Sequence, residues 1–286
     1  MLRRFPCLLI TAMLLGMPAS HAQPLHTSPI KASLIQPSLI QASPAPSGDD
    51  ATAKNAAQAR ALLNQMVKAL GGDLWLHMPN YELWGTTSTF FQGKPTGVTT
   101  AFWYFHQAPN LDRFEYSKHR DVVQIYTARE GWEILYRGMK PLPKDQVEDY
   151  LRRRAHSIET VMHAWLPDSR TILTYDGQQL AERHLADQVT LLSANNDAVT
   201  LQLDAETHLP LRRIFKWRNP IYKDYDEDIE EYDNYRVVDG IETPYSITRF
   251  RNGDMVHEQF LLGAEYDRTL PPDEFDPQAA ARRIVK

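Results

Sequence analysis

Cysteine is nearly missing from this 286-residue chain, with Cys7 the one copy. A single thiol at the start of an N-terminal apolar run supports no disulfide framework, no catalytic thiolate and no cysteine-ligated zinc. Stability must therefore come from a packed core. Long apolar runs are lacking too, since Leu8–Leu15 falls well short of the roughly 20 apolar residues a membrane-spanning helix needs. The ten histidines include no His-Glu-x-x-His and no His-x-His, so the spacings that hold a metal are absent. No Gly-x-Ser-x-Gly elbow, phosphate-binding loop or Gly-x-Gly-x-x-Gly turn occurs, which leaves hydrolase and nucleotide-dependent chemistry without a local signature. Basic charge is also in deficit, at 31 Lys and Arg against 36 Asp and Glu. That sign argues against a nucleic-acid partner, which asks for a basic face.

What is present begins with an export pattern. Arg3 and Arg4 precede the apolar run, and small residues close it at Ser20-His21-Ala22, as signal peptidase requires. Residues 1–22 are expected to be a signal peptide and the protein to be periplasmic, or secreted. Without them the formal balance is 29 against 36, a charge of −7. Residues 23–53 are rich in Pro, Ser and Ala, and Ser33-Leu34-Ile35-Gln36 recurs as Ser38-Leu39-Ile40-Gln41. This reads as a disordered tether. Residues 54–286 read as one folded domain.

Within that domain Ala59, Leu62, Leu63, Met66, Val67 and Leu70 follow helical spacing, and Gly71-Gly72 supplies a left-handed stop. Strands are expected at Tyr81–Phe91, Val98–His106, Asp112–Tyr116, Asp121–Thr127 and Gly131–Arg137, from their alternating apolar and polar positions. A single amphipathic helix is expected over Lys144–Leu166, opened by Pro143 and closed by Pro167. Strands resume at Gln188–Ser193, Val199–Leu203, Leu211–Arg218, Ile229–Val238, Tyr245–Arg251 and Met255–Tyr266, with Asn252-Gly253 the clearest hairpin turn. The fold class is α+β: an incomplete antiparallel β-barrel, a curved sheet of about 10–11 strands by this count, wrapped around two main helices.

The residues that carry charge admit bland readings. Asp224-Tyr225-Asp226-Glu227-Asp228 resembles the opening of a calcium loop, but Ile229 stands where Gly is needed, so it reads as a solvated hairpin tip. Arg152-Arg153-Arg154 reads as a solvated helix face. A dispersed carboxylate pair such as Glu82 and Glu133 is the one hydrolase scheme left open. The bulky side chains Trp84, Phe90, Trp103, Phe105, Trp132, Met162 and Trp165 belong to the core or line a ligand cavity. Thr99, Ala101, Trp103 and Phe105 alternate with Val98, Thr100, Phe102 and Tyr104, so that strand is covered on both faces or borders a hollow.

The order of motifs resembles a known family. Ala108-Pro109-Asn110-Leu111-Asp112-Arg113-Phe114-Glu115-Tyr116 is followed by Glu130-Gly131-Trp132-Glu133-Ile134-Leu135-Tyr136, and later by Tyr232-Asp233-Asn234-Tyr235, Val238-Asp239-Gly240-Ile241 and Pro244. These segments resemble the periplasmic outer-membrane lipoprotein carriers (LolA, LolB and LppX-like proteins) over roughly residues 55–277. The resemblance implies a half-barrel with an apolar cavity for acyl chains, no cofactor, no metal and no catalysis. It adds Phe114, Tyr116 and Tyr136 to the cavity candidates, by position. The carriers place Arg before the Pro of the first motif and this chain has Ala108, so their latch is not implied. The expected function is binding of a lipid or lipoprotein acyl chain, with a place in outer-membrane lipoprotein sorting. The expected partners are a lipid or acylated protein, with peripheral membrane contact. The rival reading is an envelope protein–protein interaction module without ligand.

Overall fold

The computed structural model describes residues 48–181, 183–219, 221–222 and 224–284. The expected signal peptide and most of the expected tether lie outside the described residues. Helix α1 (Gly48–Leu70) starts ahead of the expected boundary at Ala53, because Ala51–Ala57 is a run of good helix formers. It ends at Gly71, whose φ is +135°. A Cβ there would lie 2.9 Å from the carbonyl oxygen of Gly240, so only glycine lets the helix end dock so closely. A short turn of helix, α2 (Asp73–Leu76), follows.

The body is one antiparallel sheet of 14 strands. In chain order they are β1 (Asn80–Phe91), β2 (Lys94–Pro95), β3 (Thr100–Gln107), β4 (Leu111–Tyr116), β5 (Val122–Tyr126), β6 (Gly131–Leu135), β7 (Gly138–Pro141), β8 (Ile172–Ala181), β9 (His184–Leu192), β10 (Ala198–Asp204), β11 (Pro210–Arg218), β12 (Tyr225–Val238), β13 (Ile241–Arg251) and β14 (Asp254–Tyr266). Their order across the sheet is β7-β6-β5-β4-β3-β1-β14-β13-β12-β11-β10-β9-β8, with β2 paired only to β1. The two edges, β7 and β8, do not meet, so the barrel stays open. Strand β1 joins the two meanders by pairing with both β3 and β14. A bulge between Trp84 and Gly85 bends it, and a side chain at Gly85 would collide with the Phe260 carbonyl oxygen.

The expected count of 10–11 strands is corrected to 14. The three additional strands, β2, β7 and β8, carry no apolar alternation, and β8 holds Asp176, Gly177, Gln178 and Gln179. They form because a neighbour supplies the ladder, although Leu173 and Tyr175 of β8 also join the core beneath α1.

The long second helix is also corrected. Helix α3 (Lys144–Ala155) stops at His156. The Ser157 hydroxyl then accepts the Thr160 backbone N–H at 3.2 Å and caps a new turn, α4 (Ile158–Thr160), which continues as a π-turn over Val161–Trp165. Serine competes for backbone hydrogen bonds and so favours a cap over a helix interior. A last helix, α5 (Pro277–Ile284), has no counterpart among the sequence expectations.

Four blocks of core follow, one of them, Phe102, Tyr245 and Leu261 with Leu83 and Tyr116, formed by strand side chains alone. At the β8–β11 end, Leu63 and Met66 of α1, with Val161 and Met162 after α4, bury Leu191, Leu201 and Phe215 on the concave face. At the other end Val147 and Tyr150 of α3 pack on Tyr126 and Phe114. On the convex side α5 and Phe275 cover Trp103, Phe105, Ile125, Trp132 and Ile134. Between the two concave blocks no helix fills the middle of the sheet.

The acidic segment is not a free tip. Asp226–Asp228 lie within β12 opposite β11. Asp228 is buried against Arg213 at 2.9 Å, and Glu227 pairs with Lys216 at 2.8 Å, since cross-strand cations neutralise the acids. On strand β10 even the polar positions Gln202 and Asp204 are buried.

Leu201 has no exposed surface, whereas Leu180 is 72% exposed. Leu201→Ala is expected to destabilise the fold by about 3 kcal/mol, and Leu180→Ala by less than about 0.5 kcal/mol. Urea unfolding monitored by circular dichroism measures both; equal effects contradict the core assignment.

Candidate functional site: a cavity on the concave face

The uncovered middle of the concave face is a cavity of about 1060 Å³. Its floor is built by the inward positions of the strands: Tyr81 and Leu83 of β1, Tyr104 and His106 of β3, Phe114 and Tyr116 of β4, Ile247 and Arg249 of β13, and His257 and Gln259 of β14. Its roof is Asp149, Tyr150, Arg153 and Arg154 of α3, Glu159 of α4, and the loop from Leu76 to Pro79. The break at Ser157 turns the chain so that α3 and α4 contribute to the same roof.

At one end a buried carboxylate organises the wall. Asp112 has no exposed surface. Its Oδ1 accepts the Tyr104 hydroxyl at 2.8 Å and pairs with His106 Nδ1 at 2.7 Å, and its Oδ2 accepts Arg154 Nη1 at 2.6 Å. Arg154 also donates to the Thr127 and Asn110 carbonyl oxygens at 2.8 and 3.1 Å. His106 Nε2 faces Glu159 Oε1 at 3.3 Å, and Tyr81 stacks on its ring at 4.9 Å. Burial by itself would raise the Asp112 pKa, but its bonds to His106 and Arg154 outweigh burial and hold it below the usual carboxylate value. Burial would lower the His106 pKa, but Asp112 and Glu159 hold it up at about 9. The imidazole is therefore a cation at neutral pH.

The far end is richer in guanidinium groups. Arg213, fully buried, donates to Asp228 at 2.9 Å and lies 3.2 Å from Glu230. Arg251 donates to Asp149 at 2.6 Å. Tyr232 donates to Glu230 at 2.8 Å. Against the burial that would raise it, Arg213 and Arg153 hold the Glu230 pKa below the usual carboxylate value.

Of the residues expected to contact a ligand, the structure brings Phe114 and Tyr116 to the cavity. Trp103, Phe105 and Trp132 point to the opposite face, beneath α5. Trp84 shares that convex side, against Gly263. Met162 and Trp165 belong to the α1 core block, Tyr136 is 64% exposed, and Phe90 lies near the end of β1 next to Pro95. Alternation shows that β3 has two apolar faces, but not which face meets the hollow. Tyr81, Tyr104, His106, Arg154 and Arg249, which also line it, were not among the sequence candidates. A signal existed, because Asp112 is two residues from Phe114 and so must share its face.

Arg152–Arg154 are not a merely solvated face, since Arg154 binds Asp112 and both neighbours bind Asp149 at 3.3 Å. His156 stacks on Phe215 at 4.4 Å, while His163 reaches the Leu76 carbonyl oxygen, so the two histidines serve different contacts. Glu82 and Glu133 stand on opposite faces of the sheet, Glu82 bonded to Arg268 and Glu133 to Lys140 at 2.7 Å, and cannot flank one substrate. Among the described residues no group of His, Cys, Asp and Glu is placed to hold a metal ion. No helix among them is long and apolar enough to cross a membrane.

No family model and no curated protein matches this sequence. Solved structures do. A domain described as an outer membrane lipoprotein-sorting protein from Vibrio parahaemolyticus superposes with a TM-score of 0.54 at 10% identity, over 80% of this chain and 100% of that one. The two share a fold. A DUF1329 family protein from Desulfovibrio piger is similar at a TM-score of 0.55 and 12% identity, over 79% of this chain and 99% of its own. At such identity the likeness extends to the fold alone.

The charged His106 makes a pH prediction. Its folded pKa of about 9 lies above the ordinary 6.5, so its stabilisation is full below pH 6.5 and lost as pH rises through 9. Unfolding free energy is expected to fall by about 3 kcal/mol over that interval, and the fall to vanish in His106→Gln. A flat profile in the wild type contradicts the charged assignment.

Proposed function

We propose that this protein is an exported binder of an amphipathic ligand, a lipid or the acyl chain of an acylated protein, held in the concave cavity. One observation carries the reading: about 1060 Å³ of the concave face is left unfilled by the protein's own helices, a volume at the upper end of small-molecule sites. Leu76, Leu83, Phe114, Tyr116 and Ile247 offer apolar wall, and each buried methylene contributes about 0.8 kcal/mol. The lining is aromatic and charged more than aliphatic, so an amphipathic ligand suits it better than a bare hydrocarbon. The export pattern of residues 1–22 and the lipoprotein-sorting fold support a periplasmic place. With Ala108 at the position of the carriers' latch arginine, lipoprotein binding here operates without that latch. No residue acts as a catalyst in this reading.

A second reading, an envelope interaction module, draws on the edge strand β8, where Ile172 and Leu180 are exposed and Asn55 of α1 caps the backbone at Tyr175 alone. An added strand from a partner pairs with such an edge.

Uptake of a fluorescent C12 to C16 fatty acid by the purified protein tests the first reading. Leu83→Trp and Ile247→Trp, which narrow the cavity, are expected to weaken uptake by about tenfold at unchanged melting temperature. Absence of uptake by the wild type, with cross-links through β8 in cells, favours the second.

A further inference from the structure

The cavity holds two ionic clusters, and only one is balanced. Around Asp112 the charges close, with His106 and Arg154 against Asp112 and Glu159. Around Glu230 they do not. Arg153, Arg213, Arg249 and Arg251 share Asp149, Asp228 and Glu230, and Arg152 draws on Asp149 as well. Arg213 takes Asp228 and Glu230, and Arg251 takes Asp149. Arg249 is left with Asp228 at 4.0 Å, and its buried Nε finds no hydrogen-bond partner among the described residues. A buried donor without a partner costs as much as a lost hydrogen bond, and more when it is charged.

Two groups register the surplus. Arg249, by burial and by the nearby charge of Arg153, is held down at about 10. His257, opposite Arg249 in the β13–β14 register, keeps Nε2 on the Thr87 hydroxyl at 2.8 Å. Burial and then the charges of Arg249 and Arg153 push its pKa down to about 4. Both side chains line the cavity together with Arg153. A neutral head group would leave this end as it is. Asp228 Oδ2, 4.0 Å from the Arg249 Nε, is likewise without a hydrogen-bond partner among the described residues, so what this end lacks is negative charge, which an oxyanion would supply.

We propose that the polar end of the ligand is an oxyanion, a phosphate or carboxylate, seated between Arg249 and Arg153 beside His257. The seat rests on the amphipathic-ligand reading for its tail but not for its charge. Tyr116, Leu83 and Ile247 stand in the same cavity to meet the tail.

Dodecyl phosphate, dodecyl maltoside and inorganic phosphate separate the possibilities, with binding measured by calorimetry and the His257 ring followed by NMR. Dodecyl phosphate is expected to bind at least about tenfold more tightly than the maltoside and to move the His257 pKa upward by about one pH unit or more. Arg249→Gln is expected to erase that preference while leaving maltoside binding within about twofold; Arg153→Gln gives the same result should the first variant fold poorly. Inorganic phosphate that alone moves His257, with no gain from a tail, upholds the oxyanion seat and overturns the lipid reading. Equal binding of the two detergents with an unmoved His257 overturns the seat and leaves the lipid reading standing. Binding of none of the three overturns both.

Discussion

A carboxylate sealed from solvent is stable only if its oxygens are occupied, and Asp112 occupies its own with Tyr104, His106 and Arg154. These partners come from the neighbouring strand β3 and from helix α3, and His106 carries the connection on to Glu159 of α4. Through this one group the two pieces of the interrupted helix are held at a set height above the sheet. Were α3 to sink onto the strands, the middle of the concave face would close as its two ends do. The same ion cluster that anchors the roof therefore preserves the hollow beneath it.

The hollow exists because the apolar material is unevenly shared. Helix α1 and the turn after α4 fill the β8–β11 end, and Val147 and Tyr150 of α3 fill the end over β5. Strands β13, β14 and β1, which run between them, turn a mixed set of side chains inward: Arg249, His257 and Thr87 beside Leu83, Ile247, Tyr245 and Leu261. A helix laid over this floor would have to bury its charged groups along with the apolar ones.

The convex side obeys the opposite rule. Trp103, Phe105 and Trp132 meet α5, and Arg113, buried among them, bonds to Glu115 at 2.7 Å and to the Glu274 carbonyl oxygen at 2.7 Å. The C-terminal segment is fastened by charge and covered by apolar contact at once. That cover is why a strand with aromatics on both faces is tolerated beside an open cavity.

Local chemistry settled much of this in advance. The helical spacing from Ala59 to Leu70, the Gly71 stop, the eleven alternating strands and the Asn252-Gly253 turn, both residues at positive φ, are properties of neighbouring residues and could be read in order along the chain. So could the two-sided burial of β3. Three features could not. Strands β2, β7 and β8 form only because a partner strand is present; the helix breaks at Ser157 because a cap there brings Glu159 to His106; and α5 chooses the convex face. The side of the sheet that meets the hollow was decided by those long-range contacts. That is why Phe114 and Tyr116 face the cavity while Trp103, Phe105 and Trp132 lie beneath α5: side-chain alternation defines two faces, but which one is inside depends on what the rest of the chain lays over it.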